Sequence, residues 1–492
     1  MSELDACLLA RFAGTEPPDW LRRWLDDGLG GVLLFAANIT DRAQLRSLAA
    51  DLRSHNPALL IAADEEGGIV TRVEARIGSS YPGNAALGAI DDTGLTRRVA
   101  ASIGAMLAQD GVNLDLAPSA DLDSNPANPI IGVRSFGADP DRVAAHTVAF
   151  TEGIQSHRVA ACAKHFPGHG RTDTDSHLTL PVVDASLSEL RASDLVPFQA
   201  AIGAGIRSVM TAHVVFSAID PEPATVSHRL LTGLLREELG FGGVIVTDAL
   251  EMAAIGDDET SAQGAVRSLA AGADLLCLPA NADAQLLARR SLSDAIRDGT
   301  VSARRVAESA ARVRALAQWA QASPASAAEP ALGAGAAGRA LIVDAPGVPL
   351  STPPYVLDAG GKMSSLLDDV TASLLGVLRR REPAVDGVRL TEPEPSGAGP
   401  GGDGPGDLDA IIERGGTRPL VLVVRDAHRR PWQRQLLGRV LARRPDAIVV
   451  GTGTAHDRHL APGRYLGTRG AGRVNLEAVA DVLLGGTGEG RA

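Results

Sequence analysis

The stretch GVLLFAANITDRAQLRSLAADLRSHNPALLIAAD, residues 31–64, decides the fold. GVLLF (31–35) and LLIAAD (59–64) are short unbroken apolar runs of strand length. Between them, Asp41 to Ser54 places Leu45, Leu48, Ala49 and Leu52 on one face of a helix. Strand, amphipathic helix and strand in this order form one unit of a parallel sheet with a crossover helix.

The same alternation extends in both directions up to about residue 322. Further strand candidates are CLLARFAG (7–14), VNLDLAP (112–118), VAACAKHF (159–166), SVMTAHVVF (208–216), GVIVTD (243–248) and DLLCLP (274–279). Helical patterns lie at 94–109, 187–203, 228–239, 260–271, 281–297 and 302–319. Eight strand–helix units match an α/β fold of the (β/α)8, TIM-type barrel kind. Alternation alone also fits a doubly wound open sheet, so both architectures stand at this point.

Beyond the barrel-like region, ASPASAAEPALGAGAAG (322–338) has the composition of a linker. RALIVDA (339–345), LVLVV (420–424) and AIVVG (447–451) follow as buried strands, with a helical pattern over Gln433–Arg444. The expected organisation is a barrel over 1–322, a linker over 323–338 and a smaller α/β domain over 339–492. PEPSGAGPGGDGPG (393–406) is a low-complexity loop within the last of these.

Composition narrows the function. The 492 residues carry 45% hydrophobic side chains, enough for sizeable cores. No run approaches the roughly 20 apolar residues of a spanning helix, and MSELDACLLARFAG does not resemble a signal peptide. A cytoplasmic protein without a membrane partner is expected. The three cysteines, Cys7, Cys162 and Cys277, show neither a disulfide framework nor a metal spacing, and read as small buried hydrophobes. A net charge of −12 and an aromatic content of 3% exclude a nucleic-acid surface.

The densest polar cluster is AKHFPGHGRTDTDSHLTLP (163–181), which starts where a strand ends. In an α/β barrel that end opens onto the active face. A solvated loop would also be polar, but the three histidines between 165 and 177 argue for chemistry. His165 and His169 have the spacing of metal ligands on a helix, yet Phe166-Pro167-Gly168 cannot easily form one. An acid/base reading suits Asp175 and His177, because a carboxylate two residues before an imidazole can bond its Nδ1–H and hold its pKa near neutrality.

Asp248, in VIVTDALEM (244–252), ends another strand; it reads either as a group aimed at substrate or as an N-cap for a following helix. Glu251, three residues on, reads as the far side of a capping box. Asp64, in AADEEGGIVTRV (62–73), ends a third strand ahead of a Gly67-Gly68 turn. It can bond sugar hydroxyls or simply stabilise the turn. Arg134, in GVRSFGADP (132–140), is a weak signal by itself. GAGAAG (333–338) precedes a strand instead of following one, GTGTAH (451–456) lacks a third glycine, and no G-x-S-x-G elbow is present.

Taken together, GGVLLFAANI (30–39), DEEGGIVTRV (64–73), RSFG (134–137), KHFPGHGRTDTDSH (164–177) and VIVTDALEM (244–252) resemble family 3 glycoside hydrolases. Within that family the resemblance is to the bacterial β-N-acetylhexosaminidases of cell-wall recycling, whose branch the DSH loop marks. The tail after 338 resembles the C-terminal α/β sandwich domain of two-domain members. The resemblance implies Asp248 as nucleophile, His177 as general acid/base and Asp175 as its orienter. It also implies a sugar subsite lined by Asp64, Arg72, Arg134, Lys164 and His165, where the cations donate charge-assisted hydrogen bonds to the sugar. No metal or organic cofactor is implied. The implied partner is a carbohydrate: a terminal β-linked N-acetylglucosaminide, with muropeptide fragments as natural substrates.

Three other readings remain. The same site could use phosphate in place of water, as a phosphorylase does. It could belong to a family 3 β-glucosidase. A sugar-binding protein on a decayed barrel is the non-enzymatic alternative.

Overall fold

The computed structural model describes residues 3–174, 179–251, 258–321, 327–361, 373–392 and 408–486. Eight parallel strands run in chain order: β1 (Leu8–Ala10), β2 (Gly31–Leu33), β3 (Leu60–Ala63), β4 (Leu114–Asp115), β5 (Ala160–Phe166), β6 (Ser208–Thr211), β7 (Val244–Val246) and β8 (Leu276–Cys277). β1 pairs with both β2 and β8, in the registers Leu9↔Gly31 and Leu8↔Leu276. A single parallel bridge, Val246↔Leu275, joins β7 to the start of β8. First and last strands are therefore neighbours and the sheet curls into a nearly closed barrel. A doubly wound sheet would place its first strand centrally and leave two open edges.

The alternation of side chains along each strand divides the core. Leu9, Leu33, Leu60, Ala62, Leu114, Cys162, Met210, Val244, Val246 and Cys277 fill the interior. Their neighbours Leu8, Ala10, Val32, Ile61, Ala63 and Ala161 face the surrounding helices. Helix Ala303–Trp319 sends Val313, Leu316 and Ala317 into the interior cluster. Arg158 and Arg207, which precede β5 and β6, stack on Trp319 at 5.5 and 4.5 Å. That helix closes the end where strands begin, so access is left to the end where they finish. All three cysteines are buried, and burial pushes the Cys7 and Cys162 thiols up to about 12.

Several elements differ from expectation. SVMTAHVVF is two pieces: β6 ends at Thr211, and Val215–Phe216 pairs instead with Val182–Val183. Pattern 187–203 breaks at Ser193 into Leu187–Ala192 and Leu195–Gly203. Helix Pro140–Gln155 was not anticipated, although Asp139 caps Arg142 N at 2.8 Å and proline occupies its first turn.

The stretch read as a linker contains helix Ala331–Arg339. Alanine favours a helix, and small residues let it lie close to the barrel. A Cβ on Gly333 would sit 1.9 Å from the Ser80 carbonyl oxygen.

Among the described residues the second sheet has six strands: β9 (Ile342–Asp344), β10 (Tyr355–Asp358), β11 (Asp386–Arg389), β12 (Leu420–Val424), β13 (Ile448–Gly451) and β14 (Tyr465–Gly467). Their order is β9-β14-β13-β12-β10-β11, with β9 antiparallel at one edge and the rest parallel. The expected helix is Pro431–Arg443, and the low-complexity loop 393–406 lies outside the described residues. No helix among the described residues is long and apolar enough to cross a membrane.

Candidate active site

The open end of the barrel gathers charge from strands far apart in sequence. Asp64 directly follows β3, and Lys164 lies within β5. Lys164 Nζ donates to Asp64 Oδ1 and to Glu66 Oε1, both at 2.7 Å. Arg134 donates to Glu66 through Nε (2.9 Å) and Nη2 (2.7 Å), the two-pronged geometry that suits a guanidinium. Arg72 Nη2 lies 3.4 Å from Asp64 Oδ2. Lys164, Glu66, Arg72 and Arg134 are all buried, whereas the Asp64 side chain keeps 15% exposure.

These contacts fix protonation. Burial alone would raise both carboxyls, but Lys164 and Arg72 hold Asp64 well below the usual range. Arg134 and Lys164 likewise hold Glu66 at about 2. Burial works against Lys164 too, and is outweighed by Asp64 and Glu66, so its ammonium is strengthened. Glu65 behaves oppositely. Buried beside Asp115, whose Oδ1 accepts from Glu65 N at 3.0 Å, it is pushed up to about 7 by desolvation. Asp115 is raised well above its normal value for the same reason.

A second cluster centres on Asp121. Its Oδ2 accepts from His165 Nδ1 at 2.7 Å, and its Oδ1 accepts from the His169 backbone N–H at 2.6 Å. With Nδ1 as donor, the His165 ring presents Nε2 as its second polar atom. His165 and His169 meet edge to face at 5.7 Å. Burial and the adjacent His165 push His169 down to about 4, which keeps it neutral near pH 7. Its Nδ1 lies 3.0 Å from Thr172 Oγ1. Phe166-Pro167-Gly168 between the two histidines is not helical, as the proline and glycine suggested.

Asp248 stands two residues beyond β7 and is half-buried. Its Oδ1 accepts from Ala249 N at 2.8 Å, and His213 Nε2 donates to the Ala249 carbonyl at 3.0 Å. Leu250 N donates to Cys277 O at 3.1 Å, so the peptide after Asp248 is held by both neighbouring strands. Residues 247–251 form no helix, and helix Asp258–Ala271 begins further on, so Asp248 does not cap it. Glu251 does not complete a capping box either; it pairs with Arg11. β5 and β7 both flank β6 in the parallel sheet, so the segments that follow them, with His169 and Asp248, open onto one mouth.

Residues 15–316 match the Glycosyl hydrolase family 3 N terminal domain. The chain belongs to glycoside hydrolase family 3. It is 38% identical over 288 residues to Beta-hexosaminidase A of Pseudoalteromonas piscicida, a match covering 54% of this chain and 48% of that one. The chain thus spans about half the length of that relative. It is 42% identical over 255 residues to a Beta-hexosaminidase of Stenotrophomonas maltophilia (strain K279a), covering 50% of this chain and 75% of the relative. The solved structure of a glycoside hydrolase family 3 beta-N-acetylglucosaminidase from Paenibacillus sp. str. FPU-7 superposes with a TM-score of 0.87 at 33% identity. That superposition covers 98% of this chain and 96% of the other, so the two-part architecture is a family architecture.

Within the family 3 barrel, Asp64, Arg72, Arg134, Lys164 and His165 come together at one face. Their contacts differ from expectation in one respect. Lys164 and Arg134 are spent largely on Asp64 and Glu66, because buried cations need buried anions. Asp64 is thus the more accessible member of its pair with Lys164. Asp175 and His177 lie outside the described residues. Glu66 and Asp121 were missed. Asp121 stands beyond the end of β4 (Leu114–Asp115), so the strand-end rule that found Asp64 points to Asp115 and not to it. Glu66 was visible only as a neighbour of Asp64 in DEEGG.

Proposed function

We propose that this protein is a retaining β-N-acetylhexosaminidase that removes terminal β-linked N-acetylglucosamine, with muropeptide fragments in the cytoplasm as its natural substrates. Asp248 is the nucleophile, His177 the general acid/base and Asp175 the group that orients it. Residues 1–322 form the catalytic domain and 339–492 the accessory one. The observation that carries this reading is the convergence of Asp64, Lys164, His165 and Asp248 on one barrel face, with the DSH segment following β5 in the chain. The names of the relatives support the same activity.

In the first step an Asp248 oxygen attacks the anomeric carbon, the glycosidic bond breaks, and His177 gives its proton to the departing oxygen. In the second, neutral His177 takes a proton from water, the water oxygen attacks the same carbon, and Asp248 leaves as a carboxylate. Two displacements retain the β configuration. Asp64, held ionised, accepts from sugar hydroxyls, and Lys164, Arg72 and Arg134 keep that carboxylate charged and fixed. His165 offers Nε2 with its tautomer set by Asp121.

A side-by-side assay of aryl β-N-acetylglucosaminide, β-glucoside and β-xyloside tests the assignment. Fast turnover of the first alone is expected; equal or faster cleavage of the glucoside would refute it. Repeating the assay in phosphate buffer should yield free N-acetylglucosamine, and a sugar 1-phosphate would identify a phosphorylase instead.

A further inference from the structure

The turn Asn125-Pro126-Ala127-Asn128-Pro129 touches both the segment that follows β5 and the C-terminal domain. On one side it holds residues 169–172, which precede Asp175 and His177 in the chain. The Asn128 amide donates to His169 O (2.9 Å), Gly170 O (3.3 Å) and Thr172 Oγ1 (3.1 Å). The Asn125 amide donates to the carbonyls of Arg171 and Thr172, both at 3.2 Å. Asn128 Oδ1 is itself fixed by the backbone N–H groups of Ile130 (2.9 Å) and Ile131 (2.8 Å). The loop root is therefore seated on two asparagine side chains whose own geometry is locked.

On its other side the turn is gripped by the C-terminal domain. His428 Nε2 donates to the Pro126 carbonyl at 2.9 Å, and Arg429 Nη2 reaches the Pro129 carbonyl at 3.4 Å. His428 is aimed by Asp457, whose Oδ1 lies 2.8 Å from its Nδ1 and accepts from its backbone N–H at 2.8 Å. Arg429 is aimed by Asp426 Oδ2 at 2.9 Å. His456 adds a contact to Asp123, 3.4 Å away on the same barrel segment. Proline carbonyls in a turn have no helix or sheet partner, so the grip gives these acceptors protein donors.

We propose that His428 and Arg429 are positioning residues for the acid/base pair: by holding the 125–129 turn they fix Asn125 and Asn128, which seat residues 169–172 just ahead of Asp175 and His177 in the chain, so the C-terminal domain takes part in catalysis without contributing a reacting group. The inference rests on the reading of His177 as the acid/base. A general acid must lie within hydrogen-bond reach of the leaving oxygen. A shift of about 1 Å in such a group costs up to about 100-fold in rate.

The test uses the full chain, with His428→Ala and His428→Gln each made alone and with His177→Ala. kcat/KM, which reports glycosylation, is measured on N-acetylglucosaminides from a dinitrophenyl to an alkyl leaving group. His428→Ala should lower kcat/KM about tenfold on the alkyl glycoside and leave the dinitrophenyl value within about twofold, because only the former needs protonation. His428→Gln, whose amide nitrogen can replace Nε2 as donor to Pro126, should restore most of the loss. In the His177→Ala background His428→Ala should cost nothing further. An equal loss on all leaving groups, a full additional loss in the His177→Ala background, or no loss at all would overturn the proposal. Normal alkyl-glycoside turnover by His177→Ala alone would instead overturn the acid/base reading, and this inference with it. If His428→Ala does not fold, Arg429→Ala is judged by the same criteria.

Discussion

Lys164 and Asp64, 100 positions apart in the chain, share a 2.7 Å ion pair at the mouth of the barrel. The same ammonium pairs with Glu66 Oε1, to which Arg134 Nη2 also donates. One lysine thus serves two carboxylates, each of which has an arginine as its second partner. Burying a charge is tolerable only when its partners are in place.

Lys164→Met keeps the length of the side chain and removes its charge. It should destabilise the protein by about 3 kcal/mol, the cost of stranding a buried charge, and lower kcat/KM by roughly 100-fold through misplacement of Asp64. Thermal melts check the first expectation; a melting temperature equal to that of the unaltered protein would show that the lysine does not serve to balance charge.

Glu65 gives a prediction of opposite sign. Its carboxyl is raised from 4.5 to about 7 in the folded protein. Between those values the folded state keeps a proton that the unfolded chain has lost, so stability falls as pH rises through that window. Glu65→Gln removes this dependence. The melting temperature of the variant minus that of the unaltered protein should climb from pH 4.5 to pH 7 and level off above. A difference independent of pH would contradict the raised value.

His177→Ala should slow glycosylation with poor leaving groups and slow deglycosylation with every substrate. A nitrophenyl N-acetylglucosaminide should then give a burst of nitrophenol followed by a low steady rate. Azide, which needs no deprotonation, should raise that steady rate and yield the β-glycosyl azide. Asp175→Ala should show a milder form, since the imidazole survives without its orienter. Normal rates on a poor leaving group would remove His177 from the mechanism.

How much of this was legible in the sequence varies with the range of the interaction. The strands around Asp64 and Asp248 were visible because burial leaves a local apolar signature, and their ends then named the carboxylates. Asp121 was not chosen, because what distinguishes it is its partners His165 and His169, which stand 44 and 48 positions later. The helix Ala331–Arg339 was hidden by glycines that a linker would also contain; close contact with Ser80 requires only Gly333 among them. β10, β11 and β14 escaped notice because each has only three or four residues. The bond from His428 to Pro126 spans 302 positions, and nothing local announces it.

The account turns on Asp248 as the nucleophile, and one measurement addresses it directly. A 5-fluoro N-acetylglucosaminyl donor with a good leaving group slows both displacements but lets the covalent intermediate accumulate. After brief incubation, digestion and peptide mass spectrometry should find one sugar attached to the peptide containing Asp248, and fragmentation should place it on that carboxylate. Asp248→Asn should carry no label and lose nearly all turnover. A sugar on Asp64, Glu66 or any other carboxylate, with Asp248 unmodified, would contradict the assignment.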